Sequence, residues 1–271
     1  MQQVTALYFS ATLTTKKVTM AIAQSVANVL HMSVREIDVT TPLQRVQSIE
    51  FSPEDIVIFG VPVYIGRVPN LIAPYFKTIK GNGALGVPVV VYGNRAFDDG
   101  LIELRDIMNE DGFRCIAAAA FVGEHSFSRI LGAGRPDVED LNKAESFGVM
   151  VAERIERGEV EVELNVPGNP YPYAFYKASD TQGKKVDIRK VKPETDKTLC
   201  NNCGYCAEIC PMGSIDKEDC SQITGICIKC GACIKRCPNG AKRFTDEGYI
   251  SHMNVIVEHF KDVRHEPEIF M

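Results

Sequence analysis

Nine of the ten cysteines in this 271-residue chain lie between Cys200 and Cys237, and eight of them form a repeat. Residues 199–215 read LCNNCGYCAEICPMGSI and residues 226–242 read ICIKCGACIKRCPNGAK. The copies are offset by 27 and share four Cys, two Gly and one Pro, each as C-x2-C-x2-C-x3-C-P. The first 199 residues contain a single cysteine, Cys115, so the two parts of the chain do different chemistry. Hydrophobic residues make up 45% and charged residues 24%, as in soluble globular proteins. A net charge of −5 argues against nucleic acid as a bulk electrostatic partner.

Cysteines at three-residue spacing let a tight loop present three thiolates to one cubane, while the fourth crosses to a second cubane. Cys200, Cys203, Cys206 and Cys237 are therefore expected to hold one [4Fe-4S] cluster, here called cluster 1, and Cys227, Cys230, Cys233 and Cys210 the other, cluster 2. Gly204 and Gly231 bring the backbone close, and Pro211 and Pro238 turn the chain after the crossing ligand. A zinc ribbon uses only four ligands and would leave the third cysteine of each triplet unexplained. The C-x3-C-x2-C triplet of radical chemistry is absent. Cys220 falls between the repeats, as a loop thiol or a spare ligand, and Cys115 reads as a small buried hydrophobe. Lys229, Lys235, Arg236, Lys242 and Arg243 offset the negative charge of the clusters or serve solubility.

Residues 1–164 alternate between apolar runs and helical patterns. The runs Val4–Phe9, Val34–Val39, Ile56–Val61, Val87–Tyr92 and Cys115–Val122 read as strands, most of them buried on both faces. Helical spacing follows the first (Val18, Ile22, Val26, Val29), the fourth (Leu101, Leu104, Ile107) and the last (Val138, Leu141, Val151, Ile155). This predicts an α/β domain with a doubly wound, five-stranded parallel sheet of order 2-1-3-4-5. Three loops leave the carboxyl ends of its strands. The first, with Ser10, Thr12, Thr14 and Thr15, opens a helix and suits a phosphate. The second holds Pro62, Val63, Tyr64, Ile65 and Gly66, and the third Gly93, Asn94, Arg95, Phe97 and Asp98. Together they suit FMN, with Tyr64 and Phe97 as aromatic walls. Walker and G-x-G-x-x-G motifs are absent. His125, after the fifth strand, is a possible catalytic proton donor or a structural loop residue.

Residues 165–190, rich in Pro and Tyr, read as a linker packed on the first domain. Residues 191–250 form the small α+β two-cluster domain, and 251–271 a helical tail, one amphipathic helix from His252. The N-terminus shows no leader and no run long enough to span a bilayer, so a cytoplasmic protein without membrane insertion is expected.

The segments PVYIGRVPN, VYGNRAFDD and FVGEHSFS, together with the cysteine repeat, resemble the fused flavodoxin-like/two-[4Fe-4S] ferredoxin proteins of anaerobes. The first loop is similar to the Ser/Thr-x-Thr-Gly-x-Thr phosphate loop of flavodoxins, with one departure: Leu13 stands at the usual Gly, where a branched side chain restricts φ and crowds the phosphate. The resemblance implies an electron-transfer protein linking FMN, two [4Fe-4S] clusters and redox partner proteins. Two other readings stay open: a flavin-dependent reductase of a small acceptor fed by the clusters, and a flavin-free docking domain fused to a ferredoxin. A homodimer is possible.

Overall fold

The apolar runs become the centre of one sheet in the computed structural model, which describes residues 3–271. Strands β1 (Gln3–Tyr8), β2 (Ser33–Asp38), β3 (Ile56–Pro62), β4 (Leu85–Tyr92) and β6 (Ala118–Val122) run parallel in the order β2-β1-β3-β4-β6. That is the flavodoxin-like order expected from the alternation. Every residue of β4 and β6 is buried, whereas edge strand β2 has none. The run from Cys115 to Val122 is not one strand. It divides into β5 (Arg114–Cys115) and β6, both pairing with β4 across the break at Ile116–Ala117.

Helices α1 (Thr14–Val29) and α4 (Val138–Glu156) cover one face through Val18, Ile22, Val26, Phe147 and Val151. The opposite face is covered by α2 (Ala73–Phe76) and α3 (Gly100–Glu110), with Phe76, Leu101, Leu104 and Ile107 inward. The cysteine repeat follows as matched short helices, α5 (Tyr205–Glu208) and α6 (Ala232–Lys235), beside a two-stranded ribbon of β7 (Glu194–Thr195) and β8 (Lys242–Arg243). Ile209, Cys230 and Ala232 join the same buried cluster as Phe9, Tyr92 and Leu101, so the two halves share a core.

The tail corrects one expectation. Helix α7 spans Glu247–Phe260, and the chain then extends and enters the main sheet as β9 (Glu268–Phe270), antiparallel to β6. Pro267 cannot donate to a continuing helix, and the free edge of β6 offers unpaired backbone groups that β9 satisfies. The Pro/Tyr-rich segment lies on the first domain. Asp99 accepts hydrogen bonds from the amides of Asn169 and Ala174 (both 2.9 Å), and Tyr173 donates to Asp106 (2.6 Å).

Candidate functional site

The repeat folds into two separate thiol-lined cavities, grouped as the crossed assignment requires. Cys200, Cys203, Cys206 and Cys237 line one of about 320 Å³. Cys210, Cys227, Cys230 and Cys233 line another of about 430 Å³. Corresponding atoms serve both: the amide of Ser214 donates to Cys210 Sγ and that of Ala241 to Cys237 Sγ, each at 3.4 Å and 27 residues apart. Burial pushes the Cys206 and Cys230 thiols up to about 12. Thiolates there need cations at bonding distance, which cluster iron supplies. Among the described residues no three His, Cys, Asp or Glu side chains converge on a point that would hold a single ion. Cys220 is a fifth thiol on the first cavity, 1% exposed and next to Cys206. Its carbonyl accepts from the buried Lys242 ammonium at 2.6 Å. Cys115 is a buried strand residue whose thiol burial raises to about 12.

At the carboxyl ends of the strands a third cavity, about 400 Å³, is lined by Thr12, Thr14, Thr15, Pro62, Val63, Tyr64, Gly93, Glu124 and His125. Thr14 and Thr15 open α1, so their amides have no acceptor within the helix. Ser10 braces this loop rather than lining it: its Oγ accepts from the Lys16 amide (2.9 Å), and its own amide donates to Thr40 Oγ1 (2.8 Å). Leu13 adopts the left-handed region, φ 69°, so the loop keeps the backbone form glycine would take more easily.

The polar cavity adjoins a fourth, about 640 Å³ including open solvent, and the two share Val63, Tyr64, Gly93, His125 and Ser126. A Cβ at Gly93 would collide with the His125 ring, so glycine permits this close approach. Ile65 and Gly66 form the tip of a tight turn in which Tyr64 and Arg67 exchange hydrogen bonds (2.8 and 3.2 Å), with φ of 54° and 79° at the tip. A β-branched residue at positive φ is strained, and such strain clusters at functional sites. Not every expected residue lines the space. Phe97 lies in the core, its ring 5.6 Å from Tyr92. Asn94 donates to the carbonyls of Phe260 (3.2 Å) and Val263 (2.7 Å) and holds the tail. Asp98 pairs with Arg95, which does line the cavity.

Residues that the loop reading did not assign supply the remaining wall: Tyr176 from the linker, Ile228 and Lys229 from the second repeat, and His252 and Ile256 from α7. Tyr176 stacks over the Arg95 guanidinium at 4.0 Å. The abundance of Tyr in the linker is their only sequence signal.

His125 is neutral. Burial, then the charges of Lys235 and Arg95, lower it to about 3, and its Nδ1 accepts the Phe127 amide at 3.1 Å. Nε2 therefore carries the hydrogen. The ring can donate a hydrogen bond but holds no imidazolium proton near neutrality, which favours the structural role over the acid. Between about 3 and the ordinary histidine value near 6.5, the unfolded chain binds a proton that the folded chain does not. Stability is thus fully present above pH 6.5 and falls as pH drops, by roughly 1.4 kcal/mol per unit from this group. Denaturant unfolding at pH 7.5 and 5.0, compared with His125→Asn, checks this; the variant should show the shallower loss.

The second repeat seats directly on these loops. Lys235 Nζ binds Glu124 Oε1 (2.5 Å) and the Ser128 carbonyl (2.8 Å), and Arg236 reaches the Ala11 carbonyl (3.4 Å). Arg45 of the first domain donates to the Pro211 carbonyl (2.6 Å). Burial holds the Tyr64 hydroxyl protonated, and Cys230 is close enough to add to the effect. Ile228 lines both the ring cavity and the cavity of Cys227, Cys230 and Cys233, whereas the cavity of Cys200 and Cys203 shares no residue with the ring cavity.

Residues 192–215 and 222–243 each match a family described as 4Fe-4S binding domain. The two matches contain the eight repeat cysteines, so the chain carries two 4Fe-4S binding segments behind a flavodoxin-like sheet, the makeup of an electron-transfer protein. No curated protein matches the chain. Several solved structures are similar to part of the chain at low identity. A flavodoxin from the domain Archaea is 15% identical, over 58% of this chain and 99% of that one, with TM-score 0.40. A Fusobacterium nucleatum flavodoxin bound to flavin mononucleotide is 14% identical over 57% and 99%, TM-score 0.38. An NADH:FMN oxidoreductase (EMOB) in its apo form is 17% identical over 55% and 89%, TM-score 0.39. Among the described residues no helix is long and apolar enough to cross a membrane.

Proposed function

We infer that this chain is an internal electron relay in which FMN in the adjoining loop cavities exchanges electrons with cluster 2, and cluster 2 with cluster 1. The observation that carries this is the segment Ile228–Gly231, which contributes to the ring cavity on one side and the cluster 2 cavity on the other. The residues suit FMN: hydroxyls and first-turn amides at one end for a phosphate, and Tyr64, Ile65, Tyr176 and Ile228 at the other for a flat ring. When bound, the flavin supplies exchange between two-electron and one-electron carriers. The protein's part is to hold the ring against Ile228, exclude water with the linker and α7, and keep the halves in one geometry through Lys235, Arg236 and Arg45. Cys203 is exposed, which supports cluster 1 as the exit to external redox partners.

Iron, sulfide and flavin counted per chain after anaerobic purification test this, with about eight irons and one FMN expected for two cubanes and one flavin site. In stopped-flow reduction the flavin and cluster absorbances should change together. Protein that neither retains nor takes up FMN would overturn the reading and leave a docking domain fused to a ferredoxin.

Leu13→Gly follows from the same site. A non-glycine residue in the left-handed region costs about 1–2 kcal/mol, partly offset by the extra unfolded-state freedom of glycine. The variant should unfold within about 1 kcal/mol of the wild type. The Leu13 side chain is 37% exposed and does not line the phosphate-end cavity, so FMN affinity should stay within about threefold of the wild type, about 0.7 kcal/mol. Titration of flavin-free protein by fluorescence quenching measures it.

A further inference from the structure

A large concavity lies beside the ring cavity and shares part of its wall, but none of the phosphate end except Tyr64. It encloses about 1700 Å³ including its open mouth. Its walls are the strained turn at Tyr64–Ile65 with Leu71, the linker segments 175–178 and 185–189, and the cluster 2 loop 226–229. It shares Tyr64, Ile65, Tyr176, Ile188, Ile228 and Lys229 with the ring cavity. A molecule bound there reaches the place assigned to the flavin ring without entering the phosphate end.

The chemistry of the groove is uneven. Its walls are mainly apolar, and Leu71, Phe175 and Ile226 stay 43%, 45% and 60% exposed. Such a slot gains most from covering a flat apolar ring. Its charges are basic. Lys177 and Lys185 form no ion pair among the described residues, and the one acid of the lining, Asp187, is taken by Arg189 at 2.7 Å. At the inner end Lys229 is 8% exposed and at positive φ, 57°. Its ammonium donates to the carbonyls of Arg189 and Cys227, both at 2.8 Å, with no carboxylate partner. Two of its three donors are used, and the nearest carboxylate that acts on its charge is Asp187, itself paired with Arg189.

We propose that this groove is the binding site of a planar organic anion: an aromatic ring carrying a carboxylate or sulfonate, ring toward Ile65 and Ile228 and acid toward Lys177 and Lys185. The proposal rests on the flavin reading for what the ring would face, and on the groove alone for the binding. A protein partner would need a broad face rather than a deep slot between two loops.

The test uses oxidised holoprotein with iron and flavin counted, so that nothing turns over. The probes are 1,4-naphthoquinone-2-sulfonate and uncharged 1,4-naphthoquinone, titrated by calorimetry. Saturable one-to-one binding of the sulfonate is expected, at least tenfold tighter than the neutral ring. The double variant Lys177→Glu/Lys185→Glu should weaken it at least tenfold, and Lys197→Glu, outside the groove, should not. Equal affinity for both probes, or indifference to the double reversal, overturns the proposal. So does binding of polyglutamate without binding of the sulfonate, which would assign the groove to an acidic protein surface. Flavin content is read separately: a chain without FMN that still binds the sulfonate through these lysines keeps the site and loses only the flavin reading.

Discussion

Cys233→Ser is expected to disconnect the flavin from the iron–sulfur domain, while Cys203→Ser leaves that exchange intact. Both substitutions remove one thiolate from a four-ligand cluster, so both should lower iron from about eight to about four per chain. The difference lies in where each cluster sits. Cys233 lines the cavity that shares Ile228 with the ring cavity, whereas Cys203 is an exposed ligand of the cavity that shares nothing with it. In stopped-flow reduction through the flavin, Cys203→Ser should still bleach the cluster absorbance together with the flavin. It should lose delivery to an external one-electron acceptor. Cys233→Ser should show flavin reduction with no cluster response on that timescale. Serine is nearly isosteric with cysteine, and flavin content reports whether the first domain remains folded. Equal flavin–cluster exchange in the two variants would show that the order of the relay is wrong.

The grouping of the cysteines into two sets was legible in the sequence because the information is local. Three cysteines at three-residue spacing can bend around one object wherever the loop lies, and the fourth declares itself by its extra spacing. The main sheet was legible for a similar reason: continuous apolar runs such as Val87–Tyr92 have no polar face to offer water. The ring cavity was half legible. Its loops follow from topology, but Tyr176, Ile228, Lys229 and His252 come from three later segments, and nothing in their local sequence says where those segments dock. Phe97 shows the reverse failure. It stands in the right loop, yet its ring gains more by packing on Tyr92 than by lining a cleft. The tail failed for a third reason. Val255, Ile256 and Phe260 do lie on a helix, but the last residues answer to the open edge of β6, which only the assembled sheet displays.

The repeat itself provides a control for the contact between the halves. Gly204 and Gly231 are 27 residues apart, cap α5 and α6, and hold nearly equal left-handed φ values of 77° and 74°. Alanine at either position carries the same intrinsic penalty, about 1 kcal/mol. Their surroundings differ. A Cβ at Gly204 meets nothing within 4 Å, whereas one at Gly231 runs into the carbonyl oxygen of Ser126, in the loop that carries His125. Backbone cannot rotate aside, so α6 must lift from the loop, adding about 1–3 kcal/mol as in other overpacked sites. Gly204→Ala should therefore cost only the conformational term and keep normal flavin–cluster exchange. Gly231→Ala should unfold at markedly lower denaturant, retain its clusters, and slow the exchange, because the lift also strains the Lys235–Glu124 and Arg236–Ala11 contacts that close the phosphate end. Weaker FMN retention should accompany it. If both alanine variants lose the same stability and exchange at the wild-type rate, the second repeat does not bear on the flavin loops in solution. The shared wall at Ile228 would then have no part in moving electrons.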